Sequence, residues 1–159
     1  MYRHSLRDVL IILAHSLCDE DVIGLGAACC LVDILAFRQL GYRITDEAYI
    51  KTEYEVMPAG MSGALQELIR DGVAIVYADS GGRSHLRVSV NPLEEYAFSK
   101  RELNLIQVVV AMTRDGGVAR ISSLIQATNG WQETRIYCAI PGSRLVDFVA
   151  LPADKTPGH

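Results

Sequence analysis

Residues 33–65 read DILAFRQLGYRITDEAYIKTEYEVMPAGMSGAL, and the fold is decided by how this stretch changes character along its length. Its first part completes a run over residues 24–40 in which apolar side chains go nearly all the way round, with Asp33 and Arg38 the only charges. A helix with no polar face belongs in the middle of a core, so this run predicts a central helix that stops at Gly41. From residue 42 to 55, β-branched and aromatic residues alternate with polar ones, which predicts a short extended piece near residues 48–51. Pro58 suits the first turn of a following helix, with Met61, Leu65, Leu68 and Ile69 as its apolar face and Asp71-Gly72 as its end.

The flanking sequence fits around that centre. Residues 5–16 put Leu6, Val9, Leu10, Ile12 and Leu13 on one helical face, capped by Ser5 and fraying into Asp19-Glu20-Asp21. Residues 73–77 and 86–90 read as two strands of a β-hairpin with a long turn. Ser99 and Glu102 form a capping box ahead of Leu103, Leu105, Ile106, Val108, Val109 and Met112, a helix expected to end at Asp115-Gly116-Gly117. A shorter helix is expected over 119–127, broken by Asn129-Gly130, then another over 131–138 and a strand over 144–150. These elements predict an α+β fold, mainly helical: one compact domain over residues 1–151 with a small antiparallel β-hairpin or sheet, and a flexible tail over 152–159.

A chain of 159 residues is long enough to bury a core without disulfides or structural metal. Half the residues are hydrophobic and 21% charged, a packed globule and not a disordered chain. A net charge of −4 disfavours a broad electrostatic footprint for nucleic acid. Of the four cysteines, Cys29 and Cys30 sit in the apolar run as small hydrophobes, and no CxxC pair occurs with Cys18 or Cys138. Arg3, His4, Arg7 and Asp8 precede only a short apolar stretch, which predicts neither signal peptide nor membrane span and hence a cytoplasmic protein.

Catalytic chemistry finds no assembled machinery in the residue pattern. Nucleophilic catalysis needs a nucleophile beside an oriented base, and His4, His15 and His85 have no Ser or Cys placed against them by a motif. Gly24-Leu25-Gly26 and Gly81-Gly82-Arg83 lack the strand-loop-helix setting of a phosphate cradle, so no cofactor and no metal is expected. The reading is non-enzymatic.

Five residues stand out as candidates for binding a partner: Asp33, Tyr49, Lys51, Tyr54 and Trp131. A carboxylate inside an apolar helix is costly unless hydrogen-bonded, so Asp33 either anchors structure or faces a groove. Tyr49 and Lys51 share a strand face, and with Tyr54 they either pack over the core or form an exposed edge able to accept a partner strand. Trp131 is a core residue or an interface anchor. The helix-turn-helix pattern over 99–127 leaves a DNA-binding regulator as a second class, although Arg120 is the only cation in its second helix.

The order of these elements resembles the Panacea domain, the SocA-like antitoxin family. The matching positions are Asp33, Gly41, Ile44-Thr45, Tyr49-Ile50, Tyr54, Pro58, Phe98-Ser99, Glu102-Leu103 and Trp131, in sequence over 27–134. Cys29-Cys30-Leu31-Val32 replaces the usual aromatic run, Glu55-Val56-Met57 a Gly-Pro-Val stretch, and Gln126 a frequent His, so the chain resembles a divergent member. The resemblance implies protein–protein interaction within a toxin–antitoxin system. Such an antitoxin binds and neutralises a toxin, in the SocA type as an adaptor to a cytosolic protease, and is often carried on a prophage.

Overall fold

The computed structural model describes residues 4–18, 20–89 and 98–145. Helix α1 (Leu6–Leu17) is capped by Ser5, whose hydroxyl accepts the Asp8 N–H, and it buries Leu6 and the whole run from Val9 through Ala14. Helix α2 (Val22–Leu40) starts two residues earlier than the apolar run suggested, because Asp21 serves as its cap and accepts the Gly24 N–H at 2.6 Å. It ends at Gly41, which takes the left-handed conformation, φ 80°, that a residue with a Cβ adopts only with strain. Length and composition alone would let α2 cross a membrane, but 72% of its most apolar window is buried inside the fold.

Three short strands lie beside α2. Strands β1 (Tyr49–Lys51), β2 (Val56–Pro58) and β5 (Ala139–Ile140) form an antiparallel sheet in the order β2-β1-β5, with Tyr49 opposite Pro58 on one side and Ile140 on the other. Pro58 therefore closes a strand, not the first turn of a helix; helix α3 (Met61–Arg70) begins three residues later, and the Glu47 carboxylate accepts the Gly60 N–H at its start. Pro is tolerated at this outer strand, where no ladder donor is needed. Helix α3 buries Met61, Ala64 and Leu68, while Ile69, expected on the apolar face, is 47% exposed.

Strands β3 (Ala74–Ala78) and β4 (Ser84–Val88) make the expected hairpin, paired from Ala74 opposite Val88 to Ala78 opposite Ser84. Its turn is organised by Asp79, whose carboxylate accepts the N–H groups of Gly81 and Arg83. Helix α4 (Lys100–Gln126) opens with the capping box, Ser99 accepting from the Glu102 N–H and Glu102 from the Ser99 N–H. Gly117, at φ 67° and ψ −171°, splits it in two near the expected break.

Asn129 and Gly130 do not break a helix; they begin α5 (Asn129–Glu133), capped by Thr128, and the chain turns extended at Thr134, so residues 134–138 are not helical. Arg144 lies in the one-turn helix α6 (Gly142–Leu145), not in a strand, and the rest of the strand expected over 144–150, like the tail over 152–159, falls outside the described residues. The architecture is mainly helical α+β: α2 lies against α1, α4 and the three-stranded sheet, and Leu10, Leu13, Leu25, Leu31, Ile34 and Ile106 are almost fully buried at the centre.

Candidate functional site

The five singled-out residues fall into three neighbouring groups along the β2-β1-β5 sheet. Asp33 and Tyr49 meet in the core. Asp33 is fully buried on α2, and its Oδ1 accepts the Thr45 N–H at 2.9 Å while its Oδ2 accepts the Thr45 hydroxyl at 2.5 Å and the Tyr49 phenol at 2.7 Å. The Tyr49 phenol also lies 3.1 Å from the Cys29 carbonyl oxygen. Burial pushes the Asp33 carboxyl above its ordinary range, and the three hydrogen bonds together with the positive charge of Arg43 pull it back. The constellation ties the loop after α2 and strand β1 to the central helix. Thr45 carries no chemistry that sequence alone would single out, yet it supplies two of the three donors.

Cys29 and Cys30 line the same region. Burial and the nearby Asp33 carboxylate drive both thiols well above their ordinary range, so they remain protonated and unreactive. The Tyr49 phenol is raised for the same two reasons.

Lys51 and Trp131 form the second group. The Lys51 ammonium donates to the Trp131 carbonyl oxygen at 2.8 Å and lies 4.7 Å from the centre of the Trp131 ring, a cation–π contact that ties β1 to α5. Trp131 is 9% exposed. Because β1 is paired on both sides, it is the central strand and has no free edge, which removes the strand-accepting alternative for Tyr49 and Lys51 and leaves the packing one.

Tyr54 stands apart from both. It occupies the tight β1–β2 turn, closed by the Thr52 N–H to the Glu55 carbonyl, and its side chain is 76% exposed. The turn is fastened to the second half of α4: the Ser122 hydroxyl donates to the Glu55 carboxylate and the Gln126 amide to the Tyr54 carbonyl. The chain entering β5 arrives at this same end of the sheet, because the Tyr137 N–H donates to the Lys51 carbonyl oxygen. Tyr137 is 71% exposed at φ 68°, and Ile136 beside it is 46% exposed. Tyr54 and the pair Ile136-Tyr137 are thus exposed on two segments that meet at one end of the sheet, a lip of aromatic and apolar residues. The last two escaped the sequence reading because residues 131–138 scan as a helix, in which such side chains are assigned to packing.

Elsewhere the polar clusters serve structure. His4 stacks on Phe98 with ring centres 3.9 Å apart, and its Nε2 lies 3.3 Å from Glu102, which also accepts from the Tyr42 phenol. His85 pairs with Asp79 at 2.7 Å in the hairpin. In the second half of α4, Ile121, Ser122, Leu124 and Ile125 are buried and Arg120 is paired with Asp115 at 2.7 Å, which leaves that helix without the cationic face a DNA reader presents. Among the described residues no group of three or more His, Cys, Asp or Glu could hold a metal ion. Comparison with protein-family models, curated proteins and solved structures finds no match.

Proposed function

We propose that this chain is a non-enzymatic, antitoxin-like interaction domain of the Panacea type, acting in the cytoplasm by binding and masking a protein toxin. The observation that supports this reading is the lip: two largely exposed tyrosines and a half-exposed isoleucine on segments fastened by hydrogen bonds at the end of a sheet that is itself anchored to the core helix. Tyrosine supplies large contact area with few torsions to freeze, and rigid support lowers the entropy lost on association. The resemblance in residue order to the SocA-like family supports a toxin as the class of partner, and delivery of the toxin to a cytosolic protease is the form masking takes in that type.

The test is co-expression with the product of the adjacent gene. A stable complex and rescue of growth are expected, and Tyr54→Ser combined with Tyr137→Ser should weaken the complex by on the order of thirtyfold or more, the size of a lost interface anchor. Absence of both complex and rescue counts decisively against the toxin reading. A complex that survives the double substitution moves the binding surface away from the lip.

A further inference from the structure

At the opposite end of the three-stranded sheet the chain leaves β5 through Pro141 and enters α6, facing the C-terminus of α2. Between them lies a cavity of about 390 Å³ walled by Phe37, Gly41, Tyr42, Arg43, Gly142 and Ser143. Its composition is specific. Phe37 is 43% exposed, offering an aromatic wall at the end of a helix whose preceding turns are almost fully buried. Arg43 is half-buried, and its guanidinium makes neither a hydrogen bond nor an ion pair with any described residue, although its charge acts on the Asp33 carboxyl from a distance. The guanidinium reaches the far wall: a Cβ built on Gly142 would lie only 3.7 Å from Arg43 Nη1.

We propose that this cavity is a binding subsite for a monocarboxylate carried on an apolar, preferably aromatic, body. A guanidinium presents donors in a planar fork that matches a carboxylate in bidentate fashion, and the Arg43 fork is unused by any described residue. One cation beside apolar walls, in a chain of net charge −4, suits a single negative charge better than a phosphate dianion. Phe37 and the Tyr42 ring take the body of the ligand, and Ser143 brings a hydroxyl-bearing residue to the cavity wall. The volume lies in the range of small-molecule pockets, about 300–1,000 Å³. The carboxylate belongs either to a free aromatic acid or to the C-terminus of a peptide ending in an aromatic residue. The subsite is independent of the lip, since the two lie at opposite ends of the sheet.

The experiment is a nuclear magnetic resonance titration of the intact chain with benzoate, benzamide, inorganic phosphate and N-acetylphenylalanine. Benzoate is expected to shift the amides of Phe37, Gly41, Tyr42, Arg43, Gly142 and Ser143 in a saturable way, with benzamide and phosphate at least tenfold weaker. Arg43→Gln should weaken benzoate by on the order of tenfold to a hundredfold, the loss of a charge-assisted bond, with the remaining spectrum unchanged as proof of folding. Ser143→Ala, on an exposed residue, is a second variant and should weaken it severalfold. Tighter binding of N-acetylphenylalanine than benzoate assigns the site to a peptide terminus; the reverse assigns it to a free acid. No saturable benzoate shift, equal binding of benzamide, tighter binding of phosphate, or undiminished benzoate binding by a folded Arg43→Gln protein would each overturn the proposal.

Discussion

The Tyr49 phenol donates to the Asp33 carboxylate across 2.7 Å, joining the central strand of the small sheet to the fully buried helix at the heart of the fold. Both groups are out of water, so the bond acts where a missing partner is expensive. Tyr49→Phe keeps the ring and removes one of the three donors to Asp33, and a loss of about 1–3 kcal/mol is expected from the urea midpoint. Tyr54→Phe, on a side chain 76% exposed, should stay within about 0.5 kcal/mol of the parent. Equal effects of the two substitutions would show that the buried cluster contributes nothing special.

The raised Asp33 carboxyl gives the protein a pH dependence of defined sign. Its folded form binds a proton more readily than the unfolded chain, so between the ordinary aspartate value, about 3.9, and the higher folded value, the native state holds more protons. The stabilisation from Asp33 is therefore complete below the unfolded value and fades as pH rises through the folded one. Asp71, held low by its bond to Arg7, and Asp79, held low by His85, act in the opposite sense and lose their contribution as pH falls. The two trends separate in Asp33→Asn, where the Thr45 and Tyr49 hydroxyls can still reorient to meet the amide. The stability of this variant relative to the parent should climb with pH across the Asp33 window and then level off. A difference that stays flat would mean that Asp33 titrates alike in both states.

Glu102 closes the capping box of α4 and at the same time meets His4 and Tyr42. Ser99→Ala removes the cap and the hydroxyl's contact with the Tyr42 phenol but leaves the Glu102 carboxylate in place, and should cost about 1 kcal/mol. Glu102→Ala removes the acceptor of the Ser99 N–H together with the contacts to the His4 ring and the Tyr42 phenol, so its loss of thermal stability should exceed that of Ser99→Ala by a clear margin. Equal losses would assign the whole effect to capping.

Two glycines that look alike in sequence separate sharply in space. A Cβ on Gly130 would lie 2.6 Å from the Arg144 carbonyl oxygen, a backbone atom that can move only if α5 and α6 part. On Gly26 the nearest atom is the Met57 sulfur at 3.0 Å, on a flexible side chain, with the Pro58 ring at 3.1 Å. Gly130→Ala should cost about 1–3 kcal/mol or more. Gly26→Ala gains helix propensity of about 1 kcal/mol against a small local shift and should come out near neutral. Thermal melts of the two variants check the contrast.

Much of this fold is legible in the residues because its main elements carry long signals. Helix α2 is apolar round its circumference and bounded by Asp21 and Gly41, and α4 announces itself by Ser99 and Glu102. The three-stranded sheet is a different case: strands of three, three and two residues are too short for an alternating pattern, and β5 joins β1 from about ninety positions away. Pro58 misleads for the same reason, since a proline at an outer strand and one in a first helical turn look identical without the pairing. Asp33 and Trp131 stood out singly, and Tyr49, Lys51 and Tyr54 as one extended segment. Sequence spacing could not reveal that Asp33 meets Tyr49, that Lys51 covers Trp131, or that Tyr54 and Tyr137 are exposed at the same end of the sheet.

The chain has one tryptophan, so its fluorescence reports directly on the Lys51–Trp131 contact. Lys51→Met keeps the apolar stem over the ring while removing both the charge and the 2.8 Å bond to the Trp131 carbonyl. The expected loss is about 1–3 kcal/mol, combining a charged hydrogen bond with the cation–π term, and the emission of the folded protein should shift as the ammonium leaves the ring. Tyr54→Ser removes a side chain from the same end of the sheet without touching either group, so it should leave that emission unchanged. If Lys51→Met alters neither stability nor emission, the ammonium is solvated in solution and β1 is tied to α5 by packing alone.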